Sequence, residues 1–462
     1  MKKRVRRLCT ALLLLTLGVG LLSGCGKEEE VVTTDLLRVG ILSDIHVGFH
    51  DSAQQSDRFE KALMFFKNKG VDAVLIAGDL QEHSSATKAI PWIEEVADIW
   101  FRVFPDSKND LTGERVEPLM IYGNHDIGLV EAEYWPESLG EYQDAWLKEV
   151  KGYQFVGVNY TKEGTELAAN LVGKAEALSE DKPFFFCQHQ PVVDTVLGES
   201  EGLLGTGVPM YDVLRSFENC VVFTGHTHIP ITDERSIWQT DSKKGARFTA
   251  INCATINYGW LKSYTDMDIN GCADDTQQGM YMTVDGPNVH IERYSFFDME
   301  LIYDAETTSI DMSQAEQIGA PWVFDATEKK HRPYDYDTRQ LKAGQPAFPE
   351  GAQLDVSSVG QTIVNIFVPA ALVDSPEGYS DLIQSYYAEA VDLSTGEVVA
   401  TAEVATEHHV DIDERRLQKE VFMGLEGLEP GVTYELRVYA RECYQKTSDP
   451  LIAQITTLEK TD

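Results

Sequence analysis

The segment Leu36-Leu37-Arg38-Val39-Gly40-Ile41-Leu42-Ser43-Asp44-Ile45-His46 decides the fold of the N-terminal half of the chain. Its mostly apolar first part predicts a short buried strand, and a carboxylate and a histidine follow that strand directly. Four more apolar runs, at 73–77, 119–122, 184–187 and 220–224, are each followed by a polar motif. These motifs are Gly78-Asp79, Gly123-Asn124-His125-Asp126, Gln188-His189-Gln190 and Gly225-His226-Thr227-His228.

Helical patterns alternate with these strands, which predicts an α/β domain over residues 36–295. One helix is expected to be capped by Asp57 with Glu60 and to end at Gly70; its apolar stripe is Phe59, Ala62, Leu63 and Phe66. A second helix is expected at 90–104, and a further strand at 154–158. Because ligands bind at the carboxyl ends of strands in α/β sheets, we expect the five motifs to meet in one crevice.

The residue types in these motifs indicate a site for two metal ions. Five of the eleven histidines of the chain fall inside them, beside carboxylates or an amide. Two ions about 3.5–4 Å apart can activate a water molecule and stabilise the charge that develops during hydrolysis. Mixed carboxylate and imidazole ligands suit manganese, iron or zinc. His226 and His228 would lie on one side of an extended segment.

The five motifs in this order resemble the calcineurin-like metallophosphoesterase superfamily, and the resemblance covers residues 36–295. It implies a β-sandwich flanked by helices and two divalent or trivalent transition metal ions (manganese, iron or zinc). It also implies the ligands: Asp44, His46 and His228 for the first metal, Asn124, His189 and His226 for the second, and Asp79 as the bridge.

The resemblance further implies hydrolysis of a phosphate mono- or diester by attack of a metal-bound hydroxide on phosphorus. His125 would contact the phosphate and protonate or stabilise the leaving oxygen, and Asp126 would fix the tautomer of His125 and raise its pKa. The alternative for both residues is a loop pair without a catalytic role. Purple acid phosphatases in this family need a tyrosine soon after the bridging aspartate, and residues 78–83 contain none, which disfavours that subtype.

Other polar residues near the motifs are weaker candidates. His50 and His83 are close in sequence to the predicted ligands, but a histidine near a ligand position is more often a surface residue. A turn with Asn252, Asn257, Tyr258 and Gly259 follows a strand-like run and could border the substrate pocket or be purely structural. The glycines of the motifs are expected to let the backbone approach metals and phosphate closely.

The N-terminus predicts a secretion signal. Five basic residues precede an apolar run from Leu8 to Leu22 that is too short to span a bilayer, and Leu22-Ser23-Gly24-Cys25 resembles the bacterial lipoprotein signal. We therefore expect a signal peptide at 1–24, lipid on Cys25, a tether at 25–35 and an extracytoplasmic location at the bacterial cell membrane. The alternative is an ordinary secretory peptide with an incidental cysteine.

The net charge bears on possible binding partners, and the cysteine content bears on disulfide bonds. Removal of residues 1–24 takes away five of the 39 basic residues, leaving 34 against 75 acidic ones and a formal charge of −41. Such a surface disfavours nucleic acid as a partner. Five cysteines remain besides Cys25, an odd number without paired metal spacing, so a disulfide framework is not expected.

From residue 296 onward, the alternation of strand and helix patterns ends. Residues 296–350 predict an irregular connecting segment, and residues 351–462 predict an all-β, immunoglobulin-like sandwich with strands at 363–368, 384–391 and 432–440. This part resembles fibronectin type III domains, with Tyr434 as a candidate tyrosine corner and Phe367 where an early-strand tryptophan is expected.

The role of this C-terminal domain leaves alternatives open. It could bind a cell-envelope ligand in addition to catalysis by the first domain. The chain could instead be a noncatalytic envelope binding protein, with the metal domain as scaffold. The substrate itself could be an envelope polymer or a lipid headgroup rather than a soluble phosphate ester.

Overall fold

The computed structural model describes residues 36–161, 164–179, 181–196, 210–240, 248–262, 270–273, 276–303, 308–328, 331–373, 383–406, 419–444 and 446–460. The predicted signal peptide, Cys25 and the tether lie outside these residues. Within the described residues, no helix is both long and apolar enough to cross a membrane.

The strands of the N-terminal region are β1 (Leu37–Leu42), β2 (Ala73–Ile76), β3 (Glu117–Met120), β4 (Ala145–Val150), β5 (Tyr153–Val158), β6 (Phe184–Cys187), β7 (Cys220–Thr224), β8 (Ile237–Trp238), β9 (Thr249–Asn252), β10 (Gly259–Lys262), β11 (Asn270–Ala273), β12 (Gln278–Asp285) and β13 (Asn288–Ser295). The middle segment adds β14 (Leu301–Tyr303), β15 (Thr308–Ile310), β16 (Glu316–Gln317), β17 (Trp322–Asp325) and β18 (Pro346–Ala347). The C-terminal strands are β19 (Asp355–Val359), β20 (Ile363–Pro369), β21 (Leu372–Val373), β22 (Ile383–Asp392), β23 (Val398–Ala405), β24 (Glu420–Glu426), β25 (Thr433–Glu442) and β26 (Leu451–Thr456).

The helices are α1 (Gln54–Lys69), α2 (Ala86–Val103), α3 (Ile127–Glu131), α4 (Gly164–Ser179), α5 (Met210–Leu214) and α6 (Tyr336–Lys342). The first helix begins three residues before the predicted cap Asp57, because the Ser52 hydroxyl accepts the amide of Gln54 at 3.1 Å. It ends as predicted at Gly70, which adopts a left-handed conformation with φ 71°. The second helix begins four residues earlier than predicted, after Ser85.

Two large sheets form the frame of the N-terminal region, and β10 pairs with β11 in a small separate sheet. One has the order β16-β13-β12-β1-β2-β3, with β17 also paired to β13, and the other has the order β4-β5-β6-β7-β9-β8. Strands β1, β2 and β3 are mutually parallel, as are β5, β6, β7 and β9. Parallel neighbours end at the same edge of a sheet, so the loops that follow these strands are brought together.

The cores lie between and outside the two sheets. Side chains such as Ile41, Leu119, Phe185 and Phe223 fill the space between the sheets. The predicted stripe of α1 packs with α2 on the outer face of the first sheet. Helices α4 and α5 cover the outer face of the second sheet. The predicted fold class, a β-sandwich flanked by helices and followed by an all-β region, is confirmed.

The middle segment, expected to be irregular, contributes strands to the first sheet. Val323 and Trp322 of β17 pair with His290 and Ile291 of β13, and β16 pairs with the end of the same strand. Trp322 is buried in the core between the sheets. The segment therefore continues the N-terminal architecture, while the domain boundaries drawn from the sequence stay a prediction.

The C-terminal region is a sandwich of two antiparallel sheets, β19-β20-β24 and β23-β22-β25-β26. The hydroxyl of Tyr434 accepts the amide of Glu429 at 2.9 Å, as a tyrosine corner requires. Phe367 does not replace a core tryptophan: the inner positions of β20 are Val364, Ile366 and Val368, and Phe367 alternates to the outer face, where its ring lies 5.4 Å from that of Phe422.

Candidate metal centre

The polar motifs converge where the parallel strands end. Strands β1, β2, β3, β6 and β7 finish just before Asp44, Asp79, Asn124, His189 and His226, respectively. Backbone hydrogen bonds join neighbouring loops of each sheet, from the Asp44 amide to the Gly78 carbonyl at 3.1 Å and from the Gly225 amide to the His189 carbonyl at 2.8 Å. The His226 amide connects the two sheets by donating to the Asp44 carboxylate at 3.0 Å. The predicted meeting of the motifs in one crevice is confirmed.

Several predicted ligands have a left-handed backbone. The φ angle is 52° at Asp44, 50° at Asp79, 71° at His226 and 51° at His228. For residues other than glycine this conformation costs about 1–2 kcal/mol each, and such strain concentrates at functional sites. His226 and His228 therefore do not lie on an extended segment as predicted. They nevertheless point into two different clusters.

Glycines at the ends of two strands make room for the carboxylates. A Cβ atom on Gly123 would overlap the Asp79 carboxylate and lie 2.6 Å from the Asp79 amide nitrogen. A Cβ atom on Gly225 would overlap the Ser43 hydroxyl and the carboxylate of Asp44. These glycines therefore leave room for the predicted ligands Asp79 and Asp44 and for Ser43, while the approach of the backbone to metals and phosphate stays a prediction.

The first cluster consists of Asp44, His46 and His228. The Nε2 atom of His228 lies 3.0 Å from Asp44 Oδ1 and 3.2 Å from His46 Nε2, and His46 Nε2 lies 3.8 Å from the same carboxylate oxygen. All three residues are buried. Two imidazole nitrogens and one carboxylate oxygen thus face a single point, which is the donor set predicted for the first metal.

The second cluster contains Asp79, His189 and His226, with Asn124 on the loop after β3. The Nε2 atom of His189 lies 3.1 Å from Asp79 Oδ2. The Oδ1 atom of Asn124 is buried without a hydrogen-bond partner. A buried polar atom without a partner is costly, and a metal ion would satisfy this atom.

Asp79 faces both clusters. Its Oδ2 atom lies 3.1 Å from His189 Nε2 and 3.8 Å from His46 Nε2. Its other oxygen accepts the amide of His125 at 2.9 Å, which fixes the orientation of the carboxylate. This placement between the clusters fits the predicted bridging role.

Outer hydrogen bonds set the tautomers of three imidazoles. The Nδ1 atoms lie 2.7 Å from the Ala77 carbonyl for His189, 2.7 Å from the Tyr258 carbonyl for His228, and 2.8 Å from the Glu82 carboxylate for His46. Because Nδ1 must donate to these acceptors, the lone pair of a neutral ring is on Nε2 and faces the cluster. The rings are therefore arranged as metal ligands.

Glu82, which no sequence pattern singled out, is the residue that faces His125 Nδ1, the position predicted for Asp126. The Nδ1 atom of His125 lies 3.1 Å from the Glu82 carbonyl and 3.6 Å from its carboxylate. The Asp126 carboxylate instead accepts the amides of Leu80 and Gly123 at 3.0 and 2.8 Å. Asp126 therefore ties the Asp79 loop to the Asn124 loop, and the predicted pairing with His125 is wrong. The signal in the sequence was the position of Glu82 three residues past Asp79; its place between the imidazoles of His46 and His125 arises only in the fold.

Burial and neighbouring charges shift the pKa values of the residues in this centre. Burial lowers the pKa of His46, but hydrogen bonds to Asp44 and Glu82 outweigh it and raise the pKa to about 10. For His189, burial is outweighed by the charges of Asp79 and Asp44, which raise the pKa to about 9. Burial raises the pKa of Asp79, but the charge of His189 prevails and lowers it to about 2. Without a cation, protons on imidazoles balance the carboxylates, and a metal ion would replace those protons.

The weaker candidates lie around the centre. The Nε2 atom of His83 lies 3.3 Å from the exposed carboxylate of Asp51, so its contact is at the surface. Asn252 supports the loop of the last ligands by donating to the Gly225 carbonyl at 3.1 Å and to the Thr227 hydroxyl at 2.8 Å. The Tyr258 ring lies 4.4 Å from the ring of His228 and borders the first cluster.

His50 and two further residues of the predicted border have other surroundings. His50 is exposed, and its ring packs 4.0 Å from that of Phe49. The side-chain oxygen of Asn257 accepts a hydrogen bond from the side-chain amide of Gln55 at 3.2 Å. A Cβ atom on Gly259 would overlap the Thr276 hydroxyl. His50 and Asn257 therefore have surface or structural contacts, and Gly259 allows a close packing contact.

Residues 37–230 match the family model described as calcineurin-like phosphoesterase. This segment contains both clusters and the Asp79 that joins them. No curated protein sequence matches the chain. The prediction of a dinuclear metal-dependent phosphoesterase is confirmed by the family match together with the clustered aspartates and histidines.

Solved structures with a similar fold are distant in sequence. A dimetal phosphatase from Danio rerio is 10% identical, with 61% of this chain and 98% of that chain covered and a TM-score of 0.35. A purple acid phosphatase from yellow lupin (Lupinus luteus) seeds is 12% identical, with 60% and 53% covered and a TM-score of 0.36. The FN5 domain of Drosophila Lar is 14% identical, with 26% and 99% covered and a TM-score of 0.16. These likenesses are too distant to carry a functional assignment.

Proposed function

We propose that this chain is a lipid-anchored, extracytoplasmic phosphoesterase that uses two metal ions to hydrolyse phosphate mono- or diesters. The observation that supports it most is the pair of buried clusters joined by Asp79. Nitrogen and oxygen ligand atoms face each other there, and Asn124 Oδ1 is buried without a hydrogen-bond partner. Bound cations would satisfy Asn124 Oδ1 and replace the protons that otherwise balance the carboxylates.

The proposed ligand assignment follows the two clusters. Asp44, His46 and His228 would hold one ion, Asn124, His189 and His226 the other, and Asp79 both. When bound, the ions supply an activated water nucleophile and neutralise charge on the phosphoryl oxygens. Manganese, iron and zinc all suit this mixture of carboxylate, amide and imidazole.

The protein's own contribution to the reaction centres on His125. Its side chain is 33% exposed, so a substrate can reach it, and Glu82 holds its Nδ1 side. We assign His125 the role of contacting the phosphate and of stabilising or protonating the departing alcohol oxygen. Asp126 shapes the loop that presents His125.

The anchor is the part of the proposal that rests on sequence alone. Cys25 follows a basic and apolar leader with small residues before it, and it lies outside the described residues. Cys25→Ala is expected to move the protein from the membrane fraction to the soluble fraction and to abolish incorporation of a labelled fatty acid. Retention of label in this variant would disprove the anchor.

We also infer that the C-terminal sandwich is of the fibronectin type III kind. The tyrosine corner at Tyr434 and the two-sheet arrangement support this subtype. A ligand from the cell envelope for this domain remains part of the proposal for the whole chain.

Metal content and turnover test the proposed activity. Residues 25–462 and the variant Asp79→Asn would be assayed for bound transition metals and for hydrolysis of a nitrophenyl phosphate monoester and a bis-nitrophenyl diester. About two metals per chain, with turnover lost in Asp79→Asn, is the expected result, since the variant removes the carboxylate between both ions. The ratio of the two turnover rates would rank monoester against diester. Absence of both metal and turnover would overturn the proposal and favour the noncatalytic binding protein.

A further inference from the structure

The loop that carries the last two predicted ligands continues into a buried charged cluster. Residues 229–233 lead from His228 to Glu234, whose carboxylate meets two guanidinium groups. We call Glu234, Arg293, Arg339 and Tyr444 the junction. All four side chains are at most 2% exposed. The junction joins the metal loop, the first sheet, α6 and the C-terminal sandwich.

Arg293 connects the metal loop to the first sheet. From β13, it donates to the Ile231 carbonyl at 2.6 Å and to the Ala320 carbonyl at 2.6 Å, and it lies 2.8 Å from Glu234 Oε1. Its guanidinium carbon lies 4.6 Å from the centre of the Trp322 ring. The backbone three residues past His228 is thus held by a fully buried cation.

Arg339 connects the same loop to α6 and the sandwich. It forms an ion pair with the Glu234 carboxylate and donates to the Glu234 carbonyl. The Tyr444 ring lies 5.4 Å from the guanidinium carbon of Arg339, and the Tyr444 hydroxyl donates to the Glu234 carbonyl at 3.4 Å. Gln340 donates to the Tyr444 carbonyl at 3.2 Å.

Tyr444 is fixed by the sandwich itself. It lies two residues past β25, which pairs with β22 on one side and β26 on the other. The Glu442 carboxylate accepts the amides of Tyr444 at 2.8 Å and of Lys446 at 2.6 Å. The turn that presents Tyr444 is therefore anchored to a central strand of the C-terminal domain.

We propose that the C-terminal sandwich is a positioning element of the metal centre, with Tyr444 acting through Arg339 and Glu234 on the loop that carries His226 and His228. This inference rests on the proposed two-metal function. Each metal takes one histidine from this loop, so a displacement of the loop disturbs both ions. Displacements of about 1 Å at such a site can reduce rates about a hundredfold.

The matched pair Tyr444→Leu and Tyr386→Leu tests the proposal. Tyr386 is fully buried inside the sandwich, where its hydroxyl accepts the Ala371 amide at 2.7 Å. Binding of Mn²⁺ to metal-free protein would be measured by calorimetry, and turnover would be measured at rising Mn²⁺ concentration.

We expect Tyr444→Leu to weaken Mn²⁺ binding about tenfold or more, with turnover restored by excess Mn²⁺, as for other residues that support ligands. Tyr386→Leu is expected to lower the unfolding midpoint with unchanged Mn²⁺ affinity, and Tyr444→Phe to behave like the wild type.

The outcomes separate this inference from the proposed function. Wild-type protein that binds none of Mn²⁺, Fe²⁺ and Zn²⁺ overturns the proposed function and this inference with it, and the metal that binds best replaces Mn²⁺ in the comparison if Mn²⁺ does not bind. Wild-type protein that binds two Mn²⁺ ions, together with a folded Tyr444→Leu variant of equal affinity, overturns only the positioning role. Equal losses of affinity in Tyr444→Leu and Tyr386→Leu would also overturn it, because they would show a general stability effect.

Hydrogen exchange of the unmodified protein gives a second test that does not depend on a variant folding. Addition of Mn²⁺ is expected to slow exchange of amides in 229–237 and also in 336–344 and 442–444, because these segments form one packed unit. Slower exchange confined to the loops of the metal centre, with the two distant segments unchanged, would contradict the proposal.

Discussion

The metal centre and the junction both bury charged side chains, but they balance charge in different ways. At the junction, opposite charges of the protein face each other, as with Arg293 and Glu234 at 2.8 Å. At the metal centre, carboxylate oxygens and imidazole nitrogens converge on common points, and two imidazole nitrogens lie 3.2 Å apart. The junction therefore balances its charges within the protein, whereas the metal centre gathers ligand atoms that cations from outside can bind.

This difference predicts opposite responses to substitution. Removal of a junction charge leaves buried partners unpaired in the folded chain, so stability suffers first. Removal of a residue around the metal centre alters how well cations are held, so metal content and turnover suffer first. The three predictions below use this contrast, from the largest expected effect to the smallest.

Glu234→Gln is expected to have the largest effect. It keeps the shape of the side chain but leaves the guanidinium groups of Arg293 and Arg339 without their shared carboxylate. Breaking a buried ion pair in this way costs about 3–5 kcal/mol. Urea unfolding of the metal-free protein, followed by circular dichroism, measures this loss.

Asp212→Asn is the control for a surface charge. Asp212 and its partner Arg215 are 57% and 56% exposed and lie 3.5 Å apart within and just after α5. We expect a change within about 0.5 kcal/mol, as for exposed ion pairs in general. If Glu234→Gln changed the free energy of unfolding as little as Asp212→Asn, the stability of the junction would not depend on its buried charges. The contrast drawn between the junction and the metal centre would then be refuted.

The metal centre was predictable from the sequence because its chemistry is local. Each ligand lies within a few residues of the end of an apolar strand, and parallel strands bring those ends together. The tautomer partner of His125 was not predictable in the same way. Adjacent position favoured Asp126, but the backbone turn directs its carboxylate to the amides of Leu80 and Gly123.

The junction could not be predicted from spacing. Tyr444 and Glu234 are 210 positions apart, and neither belongs to a motif. Their contact depends on how the turn after β25 packs against α6, which no periodic pattern encodes. The sequence likewise predicted the strands of the sandwich but placed Phe367 in its core, because alternation along β20 is decided by its neighbours in the sheet.

Gly123→Ala is expected to have the next largest effect, on metal binding. The added methyl group would overlap the Asp79 carboxylate, so the bridging side chain must move. We expect about a hundredfold weaker Mn²⁺ binding, consistent with a misplacement of about 1 Å, and a smaller change in stability. Calorimetric titration with Mn²⁺ and urea unfolding of the metal-free variant compare the two quantities.

Gly173→Ala is the control for this substitution. Gly173 lies in α4, and a Cβ atom there would have no neighbour within 4 Å. Alanine in a helix is favoured over glycine by about 0.5–1 kcal/mol, so this variant is expected to gain stability with unchanged metal content. Normal metal content in Gly123→Ala would show that the glycine is not needed for the approach to Asp79.

Glu82→Gln is expected to have the smallest of the three effects and to show which imidazole depends on the carboxylate. Glu82 lies 2.8 Å from His46 Nδ1 and 3.6 Å from His125 Nδ1, so it borders a predicted ligand and the predicted proton donor. Loss of such a partner typically costs 10–100-fold in metal affinity or activity, and we expect about tenfold in turnover.

The control Glu117→Gln has similar exposure and also two cationic partners, Arg115 and Lys148, but lies at the edge of the first sheet. It is expected to leave turnover unchanged. If excess Mn²⁺ restores turnover in Glu82→Gln, the carboxylate acts through His46 and the metal. If the loss persists at saturating Mn²⁺, it acts through His125 and the departing alcohol. If Glu82→Gln had the same turnover and Mn²⁺ affinity as Glu117→Gln, the Glu82 carboxylate would support neither the predicted ligand His46 nor the predicted proton donor His125.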